Sequence, residues 1–425
     1  MATRDLGKAS LTKVTVAMLG ARRHYAVPRL LHEAGLLERF FTDSYSGNKP
    51  WLDRALKSVP QRMRPQGLQR WLGRRDAVLS PHKVISFETL GLGYAWARHR
   101  ARGEDELERV YQNAAVQFAE RIGSVGFGNA SQVWGFNGAA FELFKTAKRQ
   151  GLRCILEQTS NPKPIERTLI QEEYARWPDW ALSAPGMRQG VLLEERERQE
   201  WQLADCIVGG SEFVAGGLRQ CGVPEGKIRV VPYGVDPTRF ALNTPLTQKQ
   251  RSGPLRVLFV GRVSVMKGTP DLLHALALLG PNWVHARLIG GVDLDNRKLQ
   301  AFSKVAEIVG YVPRTELGAH YRWAEVFCFP SLTEGSATVT YEALMSGVPV
   351  VATPNAGAPV RDGVDGVLVP IRDPQALANA LQRYLDEPDL LLAHQAAAAQ
   401  DRHRLGLDAY RVNLVGVVLG LAACA

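Results

Sequence analysis

Short runs of β-branched and aromatic residues alternate with stretches whose apolar residues recur every three or four positions, and the alternation continues through most of the chain. Strands are predicted at residues 13–19, 133–136, 153–156, 206–208 and 227–231, and helices at 27–34, 104–122, 139–150, 192–203 and 212–220. The pattern resumes with strands at 255–260, 285–289, 308–312, 326–329, 350–352 and 366–370, and with helices from 271, at 338–345 and at 374–385. Alternation of this kind predicts parallel, doubly wound sheets, hence an α/β chain. Between the two series, residues 236–254 are polar, carry prolines and contain a Lys-Gln-Arg cluster, which reads as a linker. The predicted domains are 1–235 and 255–404. Residues 405–425 form a further segment with Leu407, Tyr410, Leu414, Val417 and Val418 at helical spacing.

Composition narrows the function classes. The chain has 425 residues, enough for two or three domains. Its 45% of hydrophobic residues can fill ordinary cores, and its formal charge of +10 suits nucleic acid, an anionic membrane surface or an anionic substrate. No zinc-finger spacing, RNP sequence or basic heptad helix is present, so nucleic acid is not the expected partner. The five cysteines are scattered, which suits a reducing compartment. The N-terminus has no signal-peptide pattern, and no run of about 20 apolar residues occurs. A cytoplasmic protein is expected, at most peripheral on the inner face of a membrane. Residues 51–75 interleave Arg54, Lys57, Arg62, Arg64, Arg70, Arg74 and Arg75 with Trp51, Leu56, Met63 and Trp71. They read either as a solvated insertion or as a surface for anionic lipid.

Chemistry concentrates between residues 327 and 353. The loop Glu334, Gly335, Ser336, Ala337 joins a predicted strand to a predicted helix, where open α/β sheets bind ligands. The helix tip offers N–H groups to phosphate, while Glu334 and Glu342 accept from hydroxyls. A nucleotide sugar has both features. Its small residues would let a ligand touch the loop backbone. The strand at 255–260 ends in Gly261 and Arg262, with Lys267 after a short loop. After the first strand come Gly20, Arg22, Arg23 and His24, read either as a solvated basic turn or as groups facing an anionic acceptor or the donor phosphates. The 153–156 strand runs into Glu157, Gln158, Thr159, Ser160, Asn161 and Pro162, whose polar residues are candidates to face the cleft. The stripe from Leu107 to Ile122 reads as core, and Asp293 and Asp295 as a solvated loop pair.

The segment EGSATVTYEALMSGVPVVAT resembles the E-x7-E signature of glycosyltransferase family 4, and SEFVAGGLRQCGVPEGKIRVVPYGVD resembles the end of that family's first domain. The resemblance implies the GT-B fold: two facing Rossmann-like domains with a cleft between them. It implies that Glu334 contacts the donor sugar and Glu342 the ribose, and that Arg262 and Lys267 hold the diphosphate. Val312, in Gly-Tyr-Val, matches the family's base pocket. It further implies retention of configuration, no cofactor and no metal, a nucleotide-diphosphate sugar as co-substrate, and a saccharide or lipid-linked acceptor bound by the first domain. The terminal segment is then expected to pack back on the first domain, with a membrane anchor as the alternative. Two departures stand out: one glycine instead of several at the first turn, and no histidine near Glu157. The competing function is a non-catalytic nucleotide-sugar binder docked to a membrane.

Overall fold

The computed structural model describes residues 12–49, 66–182, 191–240 and 253–421. The basic stretch at 51–65 and most of the predicted linker lie outside them. Seven parallel strands, β1 (Val14–Met18), β2 (Leu37–Thr42), β3 (Val84–Ser86), β4 (Gln132–Phe136), β5 (Arg153–Gln158), β6 (Cys206–Gly209) and β7 (Ile228–Val230), form a first sheet in the order β3-β2-β1-β4-β5-β6-β7. Six more, β8 (Leu255–Val260), β9 (Val284–Ile289), β10 (Ala306–Gly310), β11 (Val326–Phe329), β12 (Val350–Ala352) and β13 (Gly366–Leu368), form a second in the order β10-β9-β8-β11-β12-β13. β1 and β11 are buried along their whole length, because helices cover both faces of a parallel sheet. That explains why these strands read as unbroken apolar runs.

In both sheets the chain reverses its direction of winding beside the first strand laid down. The switch points lie between β1 and β4 and between β8 and β11, and crevices open there at the carboxyl ends of the strands. Gly20 follows β1, Gly261 follows β8, and the Glu334 loop follows β11. The sequence places all three at the two crevices through topology alone.

Among the described residues, the connections that join the halves include these three. The backbone at Val235 pairs with Gly406, and Val235 N–H donates to the Leu405 carbonyl at 2.9 Å. The terminal helix Leu407–Leu419 then lies on the first sheet: Gln132 donates to the Val418 carbonyl at 2.8 Å and Arg153 to the Val417 carbonyl at 3.1 Å. The helix Lys163–Arg176 and the segment after it reach the second sheet. Trp177 stacks on His274, Trp180 packs by Phe302, and Asp295 N–H donates to the Trp180 carbonyl at 2.8 Å.

The third connection carries charge. Arg372, held at φ 62, binds Glu173 at 2.7 Å and Glu172 at 2.8 Å across the interface, while Arg176 binds Asp271 at 2.7 Å. Glu173 and Asp271 are buried. Burial pushes the Glu173 carboxyl above its ordinary range, against the pull of Arg372. Arg372→Ala removes its main counter-charge and leaves only Arg176 at 3.2 Å and Trp177 Nε1 at 2.9 Å. The expected loss is about 2–3 kcal/mol in urea unfolding. A change below about 0.5 kcal/mol would mean that the remaining partners suffice.

Candidate functional site

The Glu334 loop is fixed from both domains. Glu334 N–H donates to the Asn355 carbonyl at 3.0 Å and Ala337 N–H to the Ala356 carbonyl at 3.0 Å. Ser336 Oγ contacts Tyr341 Oη at 2.8 Å and donates to the Gly357 carbonyl at 2.8 Å. From the first domain, Ser211 Oγ donates to the Gly335 carbonyl at 2.6 Å. A Cβ on Gly335 would overlap the carbonyl oxygen of Thr159. The small residue therefore serves the approach of the two domains. The expectation that it makes room for a ligand is corrected: the Thr159 backbone occupies that space.

The helix Thr338–Met345 starts directly after this loop, and no side chain caps it. Its first N–H groups and partial positive charge face a cavity of about 400 Å³ lined by Gly261, Lys267, Phe329, Glu334, Ser336, Ala337, Thr338 and Val339, with Arg22, Arg23, Thr159 and Tyr233 opposite. Lys267 closes the turn Val265–Lys267 after β8, and its ammonium pairs with Glu334, which also accepts from Ser331 at 3.2 Å. Gly268 holds φ 64 behind it, in close contact with Pro330. The basic side chain thus sits on a pinned turn.

Glu342 lies one turn along the helix and is buried, with Arg314 Nη2 at 3.0 Å and Tyr321 Oη at 2.9 Å donating to its two oxygens. Burial pushes its carboxyl up, and Arg314 pulls it down. It lines a second cavity of about 230 Å³ with His24, Arg29, Arg239, Arg314 and Tyr410, and Thr338 borders both spaces. The two carboxylates of the motif therefore mark adjacent compartments that meet at the helix tip.

The first-domain turn is strained. Arg23, His24 and Tyr25 take φ of 45, 49 and 61, a left-handed run that costs about 1 kcal/mol or more per non-glycine residue. Burial of Tyr25 and the seating of the half-buried Arg23 side chain on the Tyr233 ring anchor it. The strain separates three basic side chains. Arg22 enters the cleft, donating to Thr159 Oγ1 at 2.5 Å and to Tyr111 Oη at 3.1 Å. Arg23 lies over the Tyr233 ring, 3.4 Å from its centroid, and pairs with Glu157. His24 accepts from Arg314 of the second domain.

Several sequence expectations are corrected here. Glu157 is buried, bound to Arg23 and to Trp134 Nε1 at 3.0 Å, so it does not face the cleft. Arg262 turns away from the 400 Å³ cavity, with both Asp293 oxygens at 2.9 Å from Nη1. Asp295 caps the helix Asn296–Gln300. Val312 packs on the hydrophobic core and lines neither cavity. Tyr111 packs on the core of the first domain as its helical stripe predicts, and its hydroxyl accepts from Arg22. Thr159, from the polar run after the 153–156 strand, does face the cleft, whereas nothing local distinguishes Arg314 and Tyr321 from ordinary surface or core residues.

His24 is depressed below its ordinary 6.5 by burial, then by Arg314 and Arg239. A lowered native pKa means that protonation disfavours the closed contact. The contact is complete above 6.5 and is lost as pH falls through the depressed value. Small-angle scattering should show a larger radius of gyration in mild acid, and His24→Gln should remove that dependence. An unchanged radius in the wild type would exclude the contact as a pH-sensitive closure.

The model of the family described as glycosyl transferases group 1 matches residues 254–387. A D-inositol 3-phosphate glycosyltransferase of Streptomyces griseus is 33% identical over 349 residues, covering 77% of this chain and 69% of the relative. The chain belongs to the group 1 glycosyltransferases. This group 1 chain is also 32% identical over 241 residues to the putative colanic acid biosynthesis glycosyltransferase WcaL of Escherichia coli, covering 53% of this chain and 59% of the relative. Such matches span about half to three-fifths of those relatives: 49% for the Salmonella typhimurium WcaL and 55% for a Thermobifida fusca D-inositol 3-phosphate glycosyltransferase. Among solved structures, Anabaena HepE in complex with UDP superposes with a TM-score of 0.61 at 13% identity, over 96% of this chain and 100% of that one. Sucrose-phosphate synthase from Thermosynechococcus elongatus gives 0.64 at 18%, over 96% and 98%. These likenesses establish the fold as GT-B. Among the described residues, no helix of this group 1 glycosyltransferase is long and apolar enough to cross a membrane.

Proposed function

We propose that this protein moves a sugar from a nucleotide-diphosphate sugar to a saccharide or lipid-linked acceptor in glycan or polysaccharide biosynthesis. We assign it to family 4, with retention of configuration. The observation that carries the reading is the set of groups converging on one cavity: the ammonium of Lys267, the carboxylate of Glu334 and the uncapped tip of the helix Thr338–Met345, with Arg22 opposite. In this reading the diphosphate lies at the helix tip against Lys267, which stabilises the negative charge that builds up as the sugar departs. Glu334 and Glu342 exchange their present cationic or phenolic partners for donor hydroxyls. The backbone of Gly261, Ser336 and Ala337 borders the donor. Arg22 and His24 approach from the acceptor-binding first domain. Cationic side chains and the helix tip supply the charge that the leaving group needs, so the proposed chemistry requires no metal and no further cofactor.

Arg262 fits this reading as a residue that leaves Asp293 for the diphosphate. The pair is solvent-exposed, so breaking it should have a small effect. Calorimetric titration with UDP should show Asp293→Ala binding up to about fivefold tighter and Arg262→Ala binding more weakly. Equal affinity in both variants and the wild type would leave Arg262 without a role at the donor.

The decisive experiment incubates the protein with a panel of nucleotide sugars and measures free nucleoside diphosphate, with and without acceptor glycans. Acceptor-dependent release is expected. Binding without release from any donor would favour the non-catalytic nucleotide-sugar binder.

A further inference from the structure

The helix Val191–Leu203 is charged in sequence, yet its acids Glu194, Glu197 and Glu200 are buried. They recur every third residue and so share one face. That face meets the loops that follow β4 and β5, at the carboxyl ends of the strands. Glu200 accepts from the Gly138 and Ala140 N–H groups, each at 2.8 Å. Glu197 accepts from Asn137 Nδ2 at 2.8 Å, from Gln158 Nε2 at 2.9 Å and from the Lys163 N–H at 2.9 Å. These three groups all donate, so both Glu197 oxygens act as acceptors, the role of a carboxylate. Burial pushes the Glu197 carboxyl up, and the Lys163 charge and these hydrogen bonds pull it back.

The acid sets the orientation of the Asn137 amide. With Nδ2 turned to Glu197, Oδ1 faces Thr159 and accepts from its N–H at 3.1 Å and from its Oγ1 at 2.8 Å. The Thr159 hydroxyl proton is thereby committed to Asn137. Its oxygen offers lone pairs to the cleft, where Arg22 Nη1 donates to it at 2.5 Å. Arg22 then stands opposite Lys267 and Glu334 across the 400 Å³ cavity. The Thr159 carbonyl is wedged against Gly335, which anchors the backbone from the other side. What Asn137 adds is the direction of the hydroxyl. A cleft arginine is thus aimed by a buried acid that touches neither the cavity nor the second domain's loop.

We propose that Glu197 is a positioning residue for sugar transfer, acting through Asn137 and Thr159 to hold the Arg22 guanidinium at the donor cavity. This role rests on the transferase reading, because Arg22 matters only if the cavity carries out the reaction. A glutamine at 197 would turn an N–H group toward donors, release the Asn137 amide and free the Thr159 hydroxyl to turn its proton toward Arg22.

The test measures acceptor-dependent release of nucleoside diphosphate by the full-length chain, together with the donor KM and hydrogen exchange at the Thr159 amide. Glu197→Gln and Thr159→Val should each lower kcat about tenfold or more, with the donor KM within about twofold of the wild type. Thr159→Ser keeps the hydroxyl and should stay within about threefold of full activity. Added to Arg22→Ala, Glu197→Gln should cost less than about twofold more, because the group it aims is already gone. Exchange at the Thr159 amide should quicken about tenfold in Glu197→Gln and stay unchanged in Arg22→Ala. Additive losses in the double variant, unchanged exchange in Glu197→Gln, or equal losses in Thr159→Ser and Thr159→Val would overturn the proposal. A Glu197→Gln chain unfolded at the assay temperature would assign the acid to folding and would equally overturn it. A wild type without acceptor-dependent release would instead fail the transferase reading, and the exchange rates would then decide by themselves whether Glu197 sets Thr159.

Discussion

Lys267→Ala is expected to lower turnover of the nucleotide sugar about 10²- to 10³-fold while leaving the fold intact. The lysine sits on a turn that β8 delivers to the switch point and that Gly268 pins against Pro330. Its ammonium therefore needs little reorganisation to meet a diphosphate, and such preorganised charge stabilises a departing anion more than a mobile one does. The effect should appear mainly in kcat, since the leaving group carries more negative charge in the transition state than in the bound substrate. Lys267→Arg keeps the charge on a differently shaped, planar group and should recover only part of the activity. Circular dichroism and a melting curve would show the fold, and single-turnover release of nucleoside diphosphate would report the chemistry. Unimpaired release by Lys267→Ala would remove this residue from the mechanism.

Gly335→Ala is expected to abolish most transfer, by about a hundredfold, through a different route. The added methyl group would collide with the Thr159 carbonyl, a backbone atom that cannot rotate aside. The loop is also held from Asn355, Ala356 and Ser211, so it cannot retreat easily. The domains must then separate, which draws Arg22 away from Lys267 and Glu334. UDP affinity should change little, because the donor groups all belong to the second domain, whereas transfer to the acceptor should collapse. Scattering should show a more open molecule. Ser211→Ala removes one hydrogen bond without a collision and should cost only a few-fold. Wild-type transfer by Gly335→Ala would mean that catalysis does not need the closed arrangement.

The two expectations exploit different levels of information. The turn at Lys267 and the helix at Thr338–Met345 were legible because their signals are local: an apolar strand, a glycine, a basic residue, then helical spacing ended by Gly347 and Pro349. The predicted helix 338–345 and strands 255–260, 326–329 and 350–352 coincide with the observed elements. The strand predicted at 308–312 sits two residues earlier, at Ala306–Gly310. Several observed elements lack a sequence prediction, among them β2, β3 and the helices Lys163–Arg176 and Glu88–Arg100. β3 has only three residues, and the helix Glu88–Arg100 buries only Leu90 and Gly91, so it shows no apolar stripe.

Sequence by itself settled the alternation of strands and helices, the division into two α/β units and the strand-loop-helix that carries Glu334 and Glu342. Those features follow from backbone propensity and from side-chain periodicity, which neighbouring residues determine. Tertiary structure alone decided which way the long charged side chains point. Arg22, Arg23 and Arg262 are equally basic in sequence, and His24 stands beside the first two. They part company because a cleft, a buried acid at Glu157, an arginine at 314 and an exposed Asp293 arrive from distant parts of the chain. A flexible cation is placed by the nearest opposite charge or polar cavity, and that neighbour exists only once the two sheets face each other.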